Sequence, residues 1–145
     1  MPLQVQIVTA ERSVLEDTAD MVVAPSVDGM VGILPRHAPM IALLKSGELR
    51  LKHGTDETAI AVAGGILQTE ESRVIVLADA AERAEEIDEA RAREAMERAR
   101  QRMSEVREHE DLAAVQAALE RASVRLRVAE RRRRRPEIPP TQPPA

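Results

Sequence analysis

The side chains best equipped to bind something in this chain are arginines. Asp88, Arg91, Ala95 and Arg98 follow 3-4-3 spacing, which is one face of a helix, and Arg121 and Arg125 stand one helical turn apart further on. If two helices fold back on each other near residue 107, Arg91 comes to the level of Arg125 and Arg98 to that of Arg121. Four guanidinium groups then share one region. Like charges ~8 Å apart repel by roughly 0.5 kcal/mol per pair in water, so such a cluster either splays or takes up an anion. Guanidinium forks pair with phosphate oxygens, which makes a polyphosphate the natural ligand. The competing reading is an exposed charged face neutralised by Glu85, Glu94 and Glu97.

Other reactive groups are few. His37, His53 and His109 have no partners at metal-ligand spacing, and there is no cysteine to act as nucleophile, disulfide or metal ligand. No Gly-x-Ser-x-Gly, Walker-type or Gly-x-Gly-x-x-Gly signature occurs, and Gly64-Gly65 reads as a bulge or tight turn rather than a phosphate loop. The absence of Phe, Tyr and Trp rules out recognition by ring stacking. A non-catalytic, metal-free protein is expected. With no basic start followed by an apolar run and no long apolar window, the expectation is also a soluble, unexported one.

The elements that position the arginines follow from punctuation and period. At 145 residues the chain suits one domain or a small domain with an appendage. All six glycines precede residue 66 and no proline falls between Pro39 and Pro136, so a turn-rich β half should give way near residue 80 to a helical half. Leu3, Val5 and Ile7 alternate with glutamines, and Leu49 and Leu51 with charged residues; Ile60 and Val62 sit in a similar run. Further strands are expected at 12–16, 20–24, 30–34, 41–44, 65–69 and 73–78, with turns at Ser26-Val27-Asp28-Gly29 and Lys45-Ser46-Gly47.

From Ala80 the period lengthens. Ala92, Ala95, Ala99, Met103 and Val106 form one helical stripe, and Leu112, Val115, Leu119, Ala122, Leu126 and Ala129 form another, with Asp111 as its expected N-cap. The short polar link 104–110 calls for an antiparallel hairpin, and its alanine-rich seam buries little area, which makes the hairpin a candidate mobile element. The fold class is therefore α+β with segregated halves: an antiparallel β-sandwich over 1–80, a two-helix hairpin over 81–135 and a disordered Pro-rich tail over 136–145.

Charge divides the same way. Residues 1–79 carry net −5 and residues 112–145 net +5. The run Arg131–Arg135 reads as a solvated helix end suited to the negative pole of the helix dipole. The alternative is a free-standing adaptor whose Arg-rich tail binds nucleic acid.

Three separated motifs, Gly32-Ile33-Leu34-Pro35-Arg36-His37-Ala38-Pro39, then Gly64-Gly65-Ile66-Leu67, then the run 80–92 from Ala80 through Ile87-Asp88-Glu89-Ala90-Arg91-Ala92, resemble the epsilon subunit of rotary (F-type) ATP synthases. The resemblance covers residues 3 to about 130. It implies a non-catalytic central-stalk subunit that couples proton flow to ATP synthesis, with the gamma subunit, the c-ring and the alpha/beta catalytic head as partners and no nucleic acid. It also implies a hairpin that either lies on the sandwich or extends into the head and restrains ATP hydrolysis. The location implied is peripheral, at the cytoplasmic face of the cell membrane, reached through the complex.

No cofactor is required by the resemblance, but some bacterial members bind ATP as a regulatory ligand through an Ile/Leu-Asp-x-x-Arg-Ala motif, which Ile87, Asp88, Arg91 and Ala92 match. Glu82, Arg98, Arg121 and Arg125 fall where those members carry further contacts, so the arginines are expected to hold phosphates and Ile87, Ala92 and polar groups near Glu82 and Asp88 to hold adenine. Met30, Val31, Leu34, Arg36 and His37 are the expected c-ring and gamma contacts. Met30 stands where an acidic residue is frequent in the family, and Arg36 where glycine is usual.

Overall fold

The computed structural model describes residues 2–105 and 109–134. Strands β1 (Leu3–Val8), β2 (Ser13–Ala19), β3 (Met21–Ser26), β4 (Gly29–Ile33), β5 (Met40–His53), β6 (Asp56–Glu70), β7 (Arg73–Ala78) and β8 (Ala81–Arg83) come first. A 3-10 turn (Ala84–Glu86) leads into helices α1 (Glu89–Glu105) and α2 (His109–Arg134). The expected tail over 136–145 and Val106 of the first stripe lie outside the described residues.

The alternating apolar residues supply the core. Leu3, Val5, Ile7, Leu49, Leu51, Ile60, Val62, Val74 and Val76 are buried together inside the sandwich. Strand order is β2-β1-β7-β6-β5-β3-β4, with β8 added to β6. All these pairings are antiparallel except β1 with β7, which run parallel. Alternation fixes which side of a strand is buried and carries no information on direction. A tight hairpin would force an antiparallel pair, and β1 and β7 are too far apart in the chain to share one.

The turn expected at Lys45-Ser46-Gly47 is absent, and so is the bulge or tight turn expected at Gly64-Gly65. β5 and β6 pair in unbroken register from Met40 with Thr69 to His53 with Asp56, passing straight through Lys45-Ser46-Gly47 and Gly64-Gly65. Glycine here serves a long strand rather than ending a short one. A Cβ at Gly47 would press on Pro25, and Gly65, at φ +130, has the Leu77 carbonyl where its Cβ would go. The turn at Ser26–Gly29 does form. Ser26 Oγ donates to the Gly29 carbonyl at 2.6 Å and accepts from the Asp28 N–H at 3.2 Å.

In the hairpin, Ala92, Ala99, Val115, Ala122 and Ala129 are buried as the two stripes require. Arg93 lies 3.8 Å from Glu130, so the start of α1 meets the end of α2 and the helices are antiparallel. α2 begins at His109, which puts Asp111 inside its first turn rather than at the cap. Val124 and Val128 are also buried, off the predicted stripe, in a cluster with Ala61 of β6, Ala84 and Ile87. α2 thus has two buried sides, one for α1 and one for the sandwich, and the hairpin is seated on the sheet.

Candidate functional site

The neck between sandwich and hairpin is built by the residues of the Ile87–Ala92 motif, and each has a local physical task. Asp88 Oδ1 accepts the Arg91 N–H at 3.1 Å, the bond an N-cap makes to the third residue of its helix. Ile87 and Ala92, flanking the cap at the positions of a hydrophobic staple, are buried in the same cluster as Ala84, Val124 and Val128. Arg91 is turned outward, with its side chain 81% exposed and its Nε 3.6 Å from the Asp88 carboxylate. In this docked arrangement Ile87 and Ala92 do not present a surface to a ligand, contrary to the expectation that they hold adenine. Their burial follows from starting a helix against a sheet.

The other expected residues do come together. Glu82, Arg98, Arg121 and Arg125 line one cleft of about 720 Å³ between sandwich and hairpin. Arg91 is not part of its wall: its side chain is turned outward, and the contact of Arg93 with Glu130 sets α1 further along α2 than the expected pairing of Arg91 with Arg125. Sequence reading missed Arg12, in the turn between β1 and β2, and Arg102, both of which line the cleft. Arg102 was legible in principle as the i+4 neighbour of Arg98; Arg12 is brought in by tertiary folding alone. The walls between the arginines are small: Ala61, Ala63, Ala80 and Ala81 from the sandwich face Ala95, Ala99, Ala118 and Ala122 from the helices. Alanine on both sides is what leaves the gap.

Not every arginine is available. Arg125 gives Nε and Nη2 to the two Glu82 oxygens at 2.5 and 3.0 Å. Arg12 forks onto Glu86 at 3.1 and 2.7 Å, and that hydrogen bond holds the Glu86 carboxyl below the ordinary carboxylate range. Arg98 has only Glu94, at 4.0 Å, and Arg102 and Arg121 have no ion pair among the described residues. The cleft therefore holds free positive charge on its helical wall. Arg83 Nε bonds the Val14 carbonyl at 2.9 Å, tying the neck to β2.

A second surface lies on the sandwich. Leu43, Ile66 and Leu77 are directly opposite one another across β5, β6 and β7, and Val27 donates its N–H to the Leu43 carbonyl at 2.9 Å. All four are exposed, as is Ile41 at 70%. Contiguous exposed apolar side chains of this kind are uncommon on a surface that faces only water. Of the expected contact residues, Met30 and Leu34 are exposed, while Val31 packs partly against the core. Arg36 sits at φ +65 with its N–H on Ser72 Oγ at 2.8 Å, which explains why glycine suits this position. His37 closes the turn through its N–H to the Leu34 carbonyl at 3.1 Å, and its Nδ1 lies 2.7 Å from the Ala38 carbonyl.

Comparison with known proteins agrees with this architecture. Residues 2–84 match the ATP synthase delta/epsilon chain beta-sandwich domain, and residues 85–130 its long alpha-helix domain. The ATP synthase epsilon chain of Dehalococcoides mccartyi is 52% identical over 137 residues, covering 94% of this chain and 98% of its own. That of Herpetosiphon aurantiacus is 51% identical over 135 residues, covering 93% and 99%. Among solved structures, a chain of the Euglena gracilis mitochondrial ATP synthase has the same fold at TM-score 0.72 and 20% identity, over 84% of this chain and 78% of its own. A chain from the central stalk and c-ring of the Tetrahymena thermophila enzyme matches at TM-score 0.59 and 9% identity, over 89% and 97%.

Proposed function

The chain belongs to the ATP synthase delta/epsilon chain family, and from that premise we propose that it is the epsilon subunit of an F-type ATP synthase, a non-catalytic part of the central stalk whose hairpin restrains ATP hydrolysis. Family membership displaces the nucleic-acid adaptor as the reading of the basic end. The observation that carries the regulatory half is the seating of the hairpin. It rests on alanines, two valines and a few arginine–carboxylate pairs around an open cleft, a contact weak enough to leave and specific enough to return to.

The apolar row Val27–Leu43–Ile66–Leu77 is the docking face for gamma, and β4 with the turn that follows it, carrying the exposed Met30 and Leu34, meets the c-ring. Contact with the membrane is made through these partners at its cytoplasmic face; no described helix is long and apolar enough to cross a bilayer. When the hairpin extends, the basic end of α2 meets acidic surfaces of the alpha/beta head.

No cofactor is needed for this role. ATP is a regulatory ligand of the docked state, its phosphates on Arg98 and Arg121, and on Arg125 once Glu82 is displaced, with the base between the alanine walls. A ligand held by both domains stabilises docking by mass action, and docking strengthens its binding by the same factor. Truncation after Asp88 tests the regulatory reading: the assembled complex should form normally and hydrolyse ATP faster, and equal hydrolysis with and without the hairpin would discard it. Replacing Leu43 or Ile66 with Glu should leave the isolated chain folded and abolish its co-assembly with gamma.

A further inference from the structure

Glu48 and Arg131 have no part in the cleft or the docking face, and their geometry is unusual. Leu49 points into the core, so its neighbour Glu48 points to the other side of β5, toward α2, directly opposite Ala61 of the helix–sheet cluster. Only 11% of its side chain is exposed. Arg131, the first residue of the five-arginine run, donates from Nη1 to Glu48 Oε1 at 2.6 Å and is itself 53% exposed. Arg50 Nε stands 3.9 Å from the same oxygen. The other oxygen, Oε2, is closed off from water and has no partner among the described residues.

We propose that Glu48 is the carboxylate that parks the arginine-rich end of α2 on the sandwich, so that in the docked state the first cation of the run is engaged internally and withheld from any acidic partner surface. A buried carboxylate with one oxygen unbonded is costly to keep, and its guanidinium partner is what makes the docked position tolerable. The device is asymmetric. Glu48 is the buried member and Arg131 the exposed one, so losing Arg131 leaves a carboxylate under the helix with only the distant Arg50 at 3.9 Å and no hydrogen bond among the described residues, whereas losing Glu48 leaves a guanidinium that water solvates. The inference rests on the hairpin having a docked and an undocked state.

Amide exchange on the full-length chain tests it, reading Val124–Glu130 of α2 against Leu49–Leu51 of the core. Arg131→Gln should speed α2 exchange about tenfold and Glu48→Gln about threefold, from the relative penalties of unpaired buried and exposed partners. The double variant should exchange no faster than Glu48→Gln alone, because the stranded charge is gone, and Arg131→Lys should restore most of the protection. Arg131 is a surface residue, so its variants fold whatever happens to those of Glu48. Unchanged α2 exchange in both single variants, or additive effects in the double, overturns the parking role. A wild type whose α2 amides exchange only as slowly as the core overturns the two-state hairpin itself, and the parking role with it.

Discussion

Shortening Val128 to Ala should loosen the hairpin without weakening the sandwich. Val128 is fully buried in the cluster that joins α2 to Ala61, Ala84 and Ile87, so the change removes two methyl groups from the contact that docking makes. At ~0.8 kcal/mol per buried CH₂, with a further contribution from the cavity left behind, the loss is about 2 kcal/mol. A docking equilibrium then shifts toward the undocked state roughly 30-fold, since ~1.4 kcal/mol is a factor of ten. Hydrogen exchange at single-amide resolution reads it: α2 should speed up by that order while β7 amides keep their wild-type rates. Val74→Ala supplies the comparison, because Val74 is equally buried but lies in the sandwich core. That variant should lower global stability and move both regions together. If Val128→Ala accelerates β7 and α2 equally, the helices and the sandwich open as one unit and the argument from a separable interface fails.

Three further outcomes follow from the same geometry. Arg121→Ala should weaken ATP binding to the full chain by roughly 10–100-fold, the worth of a charged hydrogen bond, and Glu82→Gln should tighten it by freeing Arg125; calorimetric titration showing weaker binding for Glu82→Gln would assign that carboxylate to the ligand instead. Arg36→Gly relieves a left-handed backbone at φ +65, and the urea midpoint should rise by the equivalent of roughly 0.5–1 kcal/mol after the added freedom of the unfolded chain is subtracted; a fall would mean the Arg36 side chain does more for the fold than its backbone strain costs. Because Arg12 depresses the Glu86 carboxyl, that pair stabilises the neck above the unfolded-state value of ~4.3 and loses its effect as pH falls through the lower folded-state value, so the stability gap between wild type and Glu86→Gln should close in acid; a gap that stays constant from neutral pH to pH 3 removes the pair from the account.

The sandwich was legible because alternation reports burial directly, and Leu3, Val5, Ile7, Leu49 and Leu51 all point inward as their spacing says. What spacing cannot carry is direction or continuity. The parallel β1–β7 pair depends on the whole path between the strands, and the glycines at 47, 64 and 65 look like turn residues although they sit within long strands. The helical seam was legible for the same reason as the strands, but the second buried side of α2 was not, since Val124 and Val128 fall outside a single a/d stripe. Within the cleft, spacing placed Arg98, Arg121 and Arg125 on the right helical faces but not in the right register: a turn near residue 107 would set Arg93 level with residue 121, and it meets Glu130 instead. Arg12 could not be placed at all, and neither could the pairing of Arg125 with Glu82, because both depend on where the hairpin lands on the sheet. Ile87, Asp88 and Ala92 are instructive in the other direction: in the docked state their local physics is that of a helix start, with cap and staple, and this is visible once Asp88 is read as an N-cap.

If the hairpin leaves and returns to the sandwich as a unit, a distance measured between the two inside the assembled complex must take two values. The chain has no cysteine, so Thr18→Cys on β2 and Gln116→Cys on α2, labelled before the chain is assembled into the complex, give a unique label pair at exposed positions. Two distance populations are expected, one matching the docked structure and one much longer, with added ATP enriching the docked one. A single docked distance, unmoved by nucleotide and by removal of the catalytic head's partners, would contradict that motion.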